Sequence, residues 1–422
     1  MARRFVPLSD PVTIELDGKK LQAERGEPLA FSLVANDELA LARSPKMHRP
    51  HGPTCLRGAC DGCLARVDGE PNVMTCLVPC RGGERIEAQN VLGSRKVDLL
   101  RVTDWFFPQG MDHHHLLAGV PGLSPLMQNI ARRVAGLGTL PARELEGEPA
   151  EEREVQVLVV GAGAAGLTAA SRVAAAGVDL LVVDDAPAAG GSLRARYESA
   201  AAELLSRASS LPILSSATVA GLYGNEALVV TRTKAMLVRP TLTVLATGAH
   251  DGVLAFENND LPGIFSARAA ALLAASGIAI GERIALVGDG PYAQALRARL
   301  EKVASFVRIP LDARIRARGR ARVRAIEVEQ GGVWQRHEVD AMAVEAPPAP
   351  SFELAAQAGA KVRFDLARGG YVPGTDADGR AADGVYCAGE VAGVGTSLEA
   401  IVAQAENVAS AVLRALTNRS DG

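Results

Sequence analysis

The chain has 422 residues, of which 48% are hydrophobic, and a formal net charge of −3. Its length predicts two or three domains, and its near-neutral charge argues against a nucleic-acid partner held by phosphate neutralisation. Glycine and alanine are abundant while aromatic residues make up 4%, which favours α/β layers with tight packing of helices on strands.

No secretory signal is expected, because Met1-Ala2-Arg3-Arg4 is followed by no apolar core. The stretch 155–183 is almost entirely apolar or small, but its glycine spacing favours a strand–turn–helix unit over a membrane span. Four of the six cysteines fall in one short segment, which is typical of metal ligation rather than of a disulfide framework. A reducing cytoplasm is the expected location.

Residues 1–95 are predicted to form a small, mainly β domain. A hairpin is expected around Asp17-Gly18, followed by a short helix with Pro28 in its first turn. A connecting segment is predicted over 96–154, ending in a polar, acidic linker at 143–154. It contains His113-His114-His115, which we interpret as an interface or solvated feature rather than a catalytic or metal site.

The cysteine loop has the C-x4-C-x2-C spacing of plant-type ferredoxins, with a distant fourth cysteine. The predicted ligands of a [2Fe–2S] cluster are Cys55, Cys60, Cys63 and Cys76. A four-cysteine zinc site is the alternative, although such sites usually show two C-x2-C pairs and this segment has one. Cys80 is interpreted as a bystander, with a Cys76–Cys80 redox pair as its alternative.

A dinucleotide-binding fingerprint follows, in which Gly161, Gly163 and Gly166 lie between a hydrophobic strand and a small-residue helix that opens near Ala164. Gly163 would let the backbone approach a pyrophosphate at the helix N-terminus. The next strand ends at Asp184 and Asp185, and Asp184 is the favoured acceptor for the adenosine ribose hydroxyls. A βαβ unit without a ligand is the alternative.

Three further segments resemble the two-dinucleotide-binding flavoproteins, the family of the thioredoxin and glutathione reductases. They contain Gly190, Gly191 and Ser192; Ala246, Thr247 and Gly248; and Gly389 and Glu390. The resemblance implies FAD binding by 155–250 together with 345–422. It also implies that Gly389 and Glu390, where the family has aspartate, hold the ribityl-phosphate end of the flavin. NAD or ATP in the same pocket stays an alternative.

A second glycine-rich turn, with Gly288 and Gly290 in a G-x-G-x-x-A pattern, falls in 251–344. The resemblance makes this a nicotinamide domain, here shortened because "SFVRIP" runs almost directly into an arginine-rich hairpin that turns at Gly319. NAD binding and a purely structural turn both stay open. No C-x-x-C pair lies in 155–422, which argues against a disulfide reductase, and Cys387 is interpreted as a buried filler.

The whole arrangement resembles the α subunits of heteromeric sarcosine oxidases and of dye-linked proline, hydroxyproline and opine dehydrogenases. Matching segments include "MHRPHG", "ARRVAGLGTLP" and "LATGAHDGVLAFENNDLPGIFSARAA". Sarcosine oxidase α chains are longer and lack the cluster cysteines, so the dehydrogenase branch fits better. The predicted fold is an α/β chain with an N-terminal β-grasp ferredoxin-like domain, followed by a Rossmann-like two-dinucleotide-binding fold with a shortened second nucleotide domain.

The resemblance implies an oxidoreductase acting on CH–NH bonds. A partner β subunit similar to glycine oxidase carries its own FAD and oxidises the secondary amine. This chain then relays electrons through its cluster to an acceptor, and an FMN can sit at the subunit interface. No catalytic residue is identified in this chain. The alternatives are a stand-alone NAD(P)H-dependent FAD/[2Fe–2S] reductase and a scaffold or redox sensor.

Overall fold

A computed structural model describes residues 1–44, 48–88, 94, 95, 99, 105, 149–196 and 198–420. Most of the predicted connecting segment, including His113-His114-His115 and "ARRVAGLGTLP", therefore lies outside the described residues.

The first strands belong to the N-terminal unit. They are β1 (Arg3–Arg4), β2 (Pro11–Leu16), β3 (Lys19–Glu24), β4 (Ala42–Arg43), β5 (Pro50–His51), β6 (Leu64–Val67), β7 (Glu70–Met74) and β8 (Arg85–Glu87). Five of them form a sheet in the order β3-β2-β8-β6-β7, with β2 and β8 parallel. Along β2, buried and solvent-facing residues alternate, as one covered face requires.

The predicted hairpin and helix of this unit are confirmed. Asp17 and Gly18 join β2 to β3 with φ angles of 48° and 82°, a conformation that short polar residues and glycine tolerate. Helix α1 (Leu29–Ala35) begins directly after Pro28 and buries most of its side chains. The parallel central pair and the covering helix make this a β-grasp arrangement.

The unit that contains the first glycine-rich turn, called here the first nucleotide unit after its predicted ligand, has an eight-stranded sheet in the order β11-β10-β9-β14-β13-β12, with β28 pairing β14 and β27. These strands are β9 (Glu151–Val160), β10 (Leu180–Val183), β11 (Ile213–Leu214), β12 (Thr218–Tyr223), β13 (Glu226–Val230), β14 (Ala235–Leu245), β27 (Arg380–Ala382) and β28 (Val385–Cys387). Its helices are α2 (Ala164–Ala175), α3 (Ser199–Arg207) and α7 (Leu398–Ser420). Buried residues of α2 and α7 belong to one hydrophobic core with β9 and β10.

The predicted linker extends to residue 154, but strand β9 already begins at Glu151 and so includes the last four residues of that linker. The polar residues 151–154 pair with 236–239 of β14. Glu151 and Glu152 form ion pairs with Lys234 and Arg239 at 2.7 Å each. Exposed charges along an edge of β9 therefore extend the strand instead of forming a free linker.

The second nucleotide unit contains four parallel strands in the order β16-β23-β18-β19. They are β16 (Ile264–Ser266), β18 (Arg283–Val287), β19 (Ser305–Ile309) and β23 (Ala341–Val344), with helices α4 (Ala267–Ala275) and α5 (Pro291–Leu300). The predicted arginine-rich hairpin is present as β20 (Ile315–Gly319) and β21 (Val323–Gln330), and β22 (Val333–Glu338) adds a third antiparallel strand.

The remaining elements connect these units. They are β15 (Ala249–Gly252), which pairs with β24 (Ala346–Pro350), the pair β25 (Val362–Asp365) and β26 (Gly370–Pro373), β17 (Ile278–Ala279) and helix α6 (Glu353–Gln357). Strand β15 follows β14, and β24 follows β23, so the β15–β24 pair carries both crossings between the nucleotide units.

The N-terminal unit packs directly on the second nucleotide unit. Strand β1 pairs with β17, and Arg322 forms an ion pair with Asp37 at 2.7 Å. One hydrophobic core includes Leu33 from α1 and Leu273 from α4. This shared core fixes the cysteine loop relative to the nucleotide units.

Among the described helices, none is both long and apolar enough to cross a membrane. The apolar stretch 155–183 is divided among β9, α2 and β10, as its glycine spacing predicts.

Candidate cofactor site

The four cysteines predicted as metal ligands approach one another in two pairs. The sulfurs of Cys55 and Cys60, in the loop after β5, lie 3.3 Å apart. Cys63 immediately precedes β6, and its thiol hydrogen-bonds with that of Cys76 in the turn Thr75–Leu77. The Thr75 hydroxyl donates to the Cys63 carbonyl at 2.8 Å and thereby ties this turn to the strand.

Backbone N–H groups of the loop point at these sulfurs. The N–H groups of Arg57 and Ala59 donate to Cys55 Sγ at 3.4 and 3.3 Å, and that of Gly58 donates to Cys76 Sγ at 3.2 Å. Gly58 has a φ of +74°, a conformation that glycine adopts readily. The loop therefore presents donors that stabilise negative charge on sulfur.

Within each pair, the hydrogen bond lowers the pKa of the accepting thiol and raises the pKa of the donating thiol. The hydrogen bond with Cys55 lowers the pKa of Cys60 to about 5, and the hydrogen bond with Cys76 lowers the pKa of Cys63. Donating these bonds, together with burial, raises the pKa of Cys55 and Cys76. Because metals bind the thiolate, a cationic centre is required to hold all four sulfurs ionised.

The paired arrangement discriminates between metal centres. Among the residues that the structure describes, no group of three or more His, Cys, Asp or Glu side chains is placed to hold a single metal ion. Two thiol pairs suit a cluster of two irons, whereas a structural zinc ion needs four ligands around one point. The donor set thus fits a [2Fe–2S] cluster better than zinc.

The other two cysteines lie apart from this group. Cys80 Sγ is 3.5 Å from Ser32 Oγ, and burial raises the pKa of its thiol to about 12. Burial also raises the pKa of Cys387, in β28, to about 12. Buried, protonated thiols of this kind act as small apolar side chains.

The first glycine-rich turn lies between β9 and α2, in the predicted context. Gly161 has a φ of +101°, and Gly163 caps α2 ahead of Ala164. A Cβ on Gly166 would lie 2.9 Å from the Gly161 carbonyl carbon, so glycine permits this close packing of helix on strand. A Cβ on Gly163 would meet nothing within 4 Å, so the turn faces open space.

Asp184 and Asp185 follow β10 beside this turn. The Asp184 carboxylate accepts from the N–H groups of Ala162 at 2.5 Å and Ala186 at 2.9 Å, and burial raises its pKa. Asp185 lines the cavity, where desolvation and then the Asp184 charge raise its pKa to about 6. Asp184 therefore braces the turn, and each of its oxygens retains a lone pair for a further donor.

One cavity of about 570 Å³ unites the predicted nucleotide residues. Its wall includes Gly161, Gly163, Ala164, Asp184, Asp185, Gly191, Ser192, Ala246, Thr247, Gly248 and Glu390. Gly166, Gly190 and Gly389 lie behind this wall: the Gly190 N–H donates to the Ala162 carbonyl at 2.8 Å, and the Gly389 N–H to Gln404 Oε1 at 2.7 Å. The volume is within the range of small-molecule sites.

The cysteine loop forms another part of the same wall. Leu56, Arg57, Gly58, Ala59 and Cys76 all line the cavity. One predicted iron–sulfur ligand, Cys76, and the loop residues 56–59 therefore border the same continuous space as the predicted nucleotide residues.

A buried network of charges connects the two halves of this site. The Arg57 guanidinium pairs with Asp251 at 2.9 Å, and Arg268 Nε lies 3.3 Å from the same carboxylate. Arg268 also binds both oxygens of Glu390, at 2.7 and 3.2 Å, and lies 4.6 Å from the centre of the Tyr292 ring. Glu390 thus reaches the cavity wall as one half of an ion pair.

Sequence reasoning did not identify Arg57, Asp251, Arg268 or Tyr292 as site residues. Asp251 and Arg268 lie within "LATGAHDGVLAFENNDLPGIFSARAA", a segment that carried the family resemblance. Burial by itself would raise the pKa of Asp251. The charges of Arg57 and Arg268 outweigh this effect and hold the pKa below its ordinary range. The sequence feature that could have identified Asp251 and Arg268 is the presence of charged residues in a mainly apolar segment.

The second glycine-rich turn joins β18 to α5, with Gly288 at a φ of +84° and Gly290 as the cap of α5. Both glycines line a second cavity of about 570 Å³. The Glu345 carboxylate lies at the N-terminus of α5 and accepts from the N–H groups of Tyr292 at 3.2 Å and Ala293 at 2.6 Å.

Comparison with known proteins agrees with this geometry. Residues 9–91 match the family of 2Fe-2S iron-sulfur cluster binding domains, and residues 159–208 match the NAD(P)-binding Rossmann-like domains. The chain combines a 2Fe-2S domain with a Rossmann-like flavoprotein fold. This confirms the predicted fold class.

Curated relatives extend the resemblance over nearly the whole chain. The α subunit of sarcosine oxidase from Rhizobium meliloti (strain 1021) is 28% identical over 98% of this chain and 47% of its own length. The corresponding subunit from Corynebacterium sp. (strain P-1) is 28% identical over 82% of this chain and 34% of its own. The chain thus spans less than half the length of these relatives, and the predicted resemblance to sarcosine oxidase α subunits is confirmed.

A solved structure shows the same fold. L-proline dehydrogenase from P. horikoshii superposes with a TM-score of 0.73 at 22% identity, covering 98% of this chain and 76% of that one.

Proposed function

We propose that this chain is the electron-transfer α subunit of a heteromeric flavin-dependent dehydrogenase or oxidase acting on CH–NH bonds of an amino or imino acid. The observation that carries the proposal is the shared cavity, whose wall contains both the cysteine loop and the first glycine-rich turn. Its relatives are named as sarcosine oxidase α subunits, and the proposed substrates are secondary amines such as sarcosine, proline, hydroxyproline or an opine.

In this site the four thiols would bind the iron–sulfur cluster, and the first glycine-rich turn would bind the nucleotide. Cys55, Cys60, Cys63 and Cys76 would hold the cluster, and N–H groups of their loop would offset its negative charge. A bound cluster supplies one-electron transfer, and a bound FAD would supply exchange between one- and two-electron carriers.

The nucleotide residues would bind and orient FAD. The N-terminus of α2 at Gly163 offers backbone N–H groups and a positive dipole to a diphosphate. Asp184 or Asp185 would accept a hydrogen bond from the adenosine ribose, since both line the cavity. NAD or ATP would use the same phosphate and ribose contacts, so the pocket by itself does not select FAD.

Substrate oxidation is assigned to a partner. We propose a β subunit similar to glycine oxidase with its own FAD, an FMN at the subunit interface and an external electron acceptor. In this scheme the secondary amine becomes an imine and loses two electrons, which leave through this chain one at a time. A reducing compartment such as the cytoplasm would keep the cysteines available as thiolates.

The test begins with anaerobic purification of the chain, alone and co-expressed with the β subunit. Iron is counted, and the nucleotide released by acid is identified by chromatography. We expect about two irons per chain, a flavin or adenine nucleotide in the first cavity, and cluster reduction by substrate only when β is present.

Two other results would overturn the proposal. Rapid reduction of the isolated chain by NADH or NADPH would identify a stand-alone reductase. In the second result, the β subunit is present and reduces an artificial dye, but no substrate reduces the cluster. The cofactors of this chain would then have a structural or sensory role.

A further inference from the structure

The two glycine-rich turns differ in what lies at their helix N-termini. At the first turn, a Cβ on Gly163 would meet nothing within 4 Å. At the second, a Cβ on Gly290 would lie 2.5 Å from Cδ of Glu345 and closer still to one carboxylate oxygen. Glu345 therefore occupies the space that glycine leaves open for a ligand's phosphate in such turns.

The contacts of Glu345 are those that a bound phosphate would make. Its two oxygens accept from the N–H groups of Tyr292 and Ala293, in the first turn of α5. These N–H groups have no partner within the helix, and together with the helix dipole they form the usual anion site at a helix N-terminus. In this chain a side-chain carboxylate satisfies both.

Glu345 is also held in place by the sheet. It follows β23, whose register sets Val344 against Val287 of β18, and the Glu345 N–H donates to the Val287 carbonyl at 2.9 Å. The side chain is only partly exposed at the wall of the second cavity, which Arg268 and Arg308 also line. Moving the carboxylate aside would leave two buried donors without a partner.

We infer that Glu345 is a built-in occupant of the anion site at the second glycine-rich turn, and that it excludes the diphosphate of NADH and NADPH there. The inference concerns this turn alone and does not depend on the proposed electron-transfer function. It assigns Glu345 as the residue that distinguishes this turn from a working nicotinamide site.

The test is dinucleotide binding by the full chain, purified with its cluster and kept in excess FAD so that the first cavity stays filled. NADH and NADPH are titrated into wild type, Glu345→Ala and the milder Glu345→Gln, with calorimetric readout. We expect Glu345→Ala to bind at least one of them about tenfold or more tightly than wild type, since the N–H groups of Tyr292 and Ala293 become free to donate to the diphosphate. Glu301→Ala, at the exposed far end of α5, is the matched control and should not change binding.

A second substitution locates the gain. Glu345→Ala combined with Gly290→Ala should lose the new binding, because the added methyl group refills the vacated space. The inference is overturned if neither Glu345 variant gains affinity. It is equally overturned if wild type already binds NADH or NADPH and Gly290→Ala alone abolishes that binding, a measurement that remains decisive if Glu345→Ala does not fold.

Discussion

Arg57, between the first two cysteines of the loop, forms a 2.9 Å ion pair with Asp251 at the end of the strand that links the two nucleotide units. The side chains are 20% and 9% exposed, so solvent screens this pair little. The pair makes the position of the cysteine loop depend on the nucleotide fold.

Removing this ion pair should loosen the contact between the units. We expect Arg57→Ala to lower the free energy of unfolding by about 1–3 kcal/mol, because Asp251 loses a buried charged partner but keeps Arg268 and Ser266. Urea unfolding of the cofactor-loaded protein would measure this. Arg207→Ala, which removes an exposed pair with Glu203, should cost less than about 1 kcal/mol, and equal losses in the two variants would contradict the prediction.

Acid should weaken the same contact. The folded-state pKa of Asp251 lies below its unfolded value because the charges of Arg57 and Arg268 outweigh burial. Its stabilising contribution is therefore complete above the unfolded pKa of about 3.9 and is lost as the pH falls through the folded value.

Asp251→Asn provides the measurement of that contribution. The stability difference between wild type and Asp251→Asn should stay constant from about pH 7 down to about pH 5 and shrink below about pH 4. A difference that grows as the solution is acidified would show that the sign is wrong.

The cysteine pairs predict which thiols carry iron. Cys63→Ser should lose most of the bound iron and the visible absorption of the cluster, because one iron is left with a single thiolate from this chain. Cys80→Ser is the matched control, since its thiol contacts Ser32 and lies apart from the four. Full iron content in Cys63→Ser, or an equal loss in Cys80→Ser, would refute the assignment.

The acid beside the first turn predicts nucleotide affinity. In Asp184→Asn an NH2 group replaces one of the two oxygens that accept from the N–H groups of Ala162 and Ala186. The substitution also removes the negative charge and so weakens any contact with a ribose hydroxyl. We expect affinity for the resident nucleotide to fall by about tenfold to a hundredfold. Asp179→Asn, at an exposed position before β10, should leave affinity unchanged. Equilibrium dialysis of released and rebound nucleotide would decide between these outcomes.

Local sequence spacing was sufficient to predict an iron–sulfur domain and a Rossmann-like unit, which the family matches over 9–91 and 159–208 support. The predicted ligands Cys55, Cys60 and Cys63 lie in one loop, and Gly161, Gly163 and Gly166 lie in one turn, so short-range geometry restricts what each can bind. The same local signals predicted the Asp17-Gly18 hairpin and the arginine-rich hairpin at Gly319. They misplaced the start of β9, because its polar residues are held by ion pairs with β14, a partner far along the chain.

Only the tertiary structure decided how the motifs are used. The buried ion-pair network joins distant parts of the chain. Arg57 and its partner Asp251 are 194 residues apart in the sequence, and Arg268 and its partner Glu390 are 122 residues apart. Glu345 reaches the second turn because parallel strands β18 and β23 are neighbours, although it lies 53 residues beyond Tyr292. A glycine pattern records that a backbone can accept an anion, but the identity of the anion depends on side chains that only folding brings there.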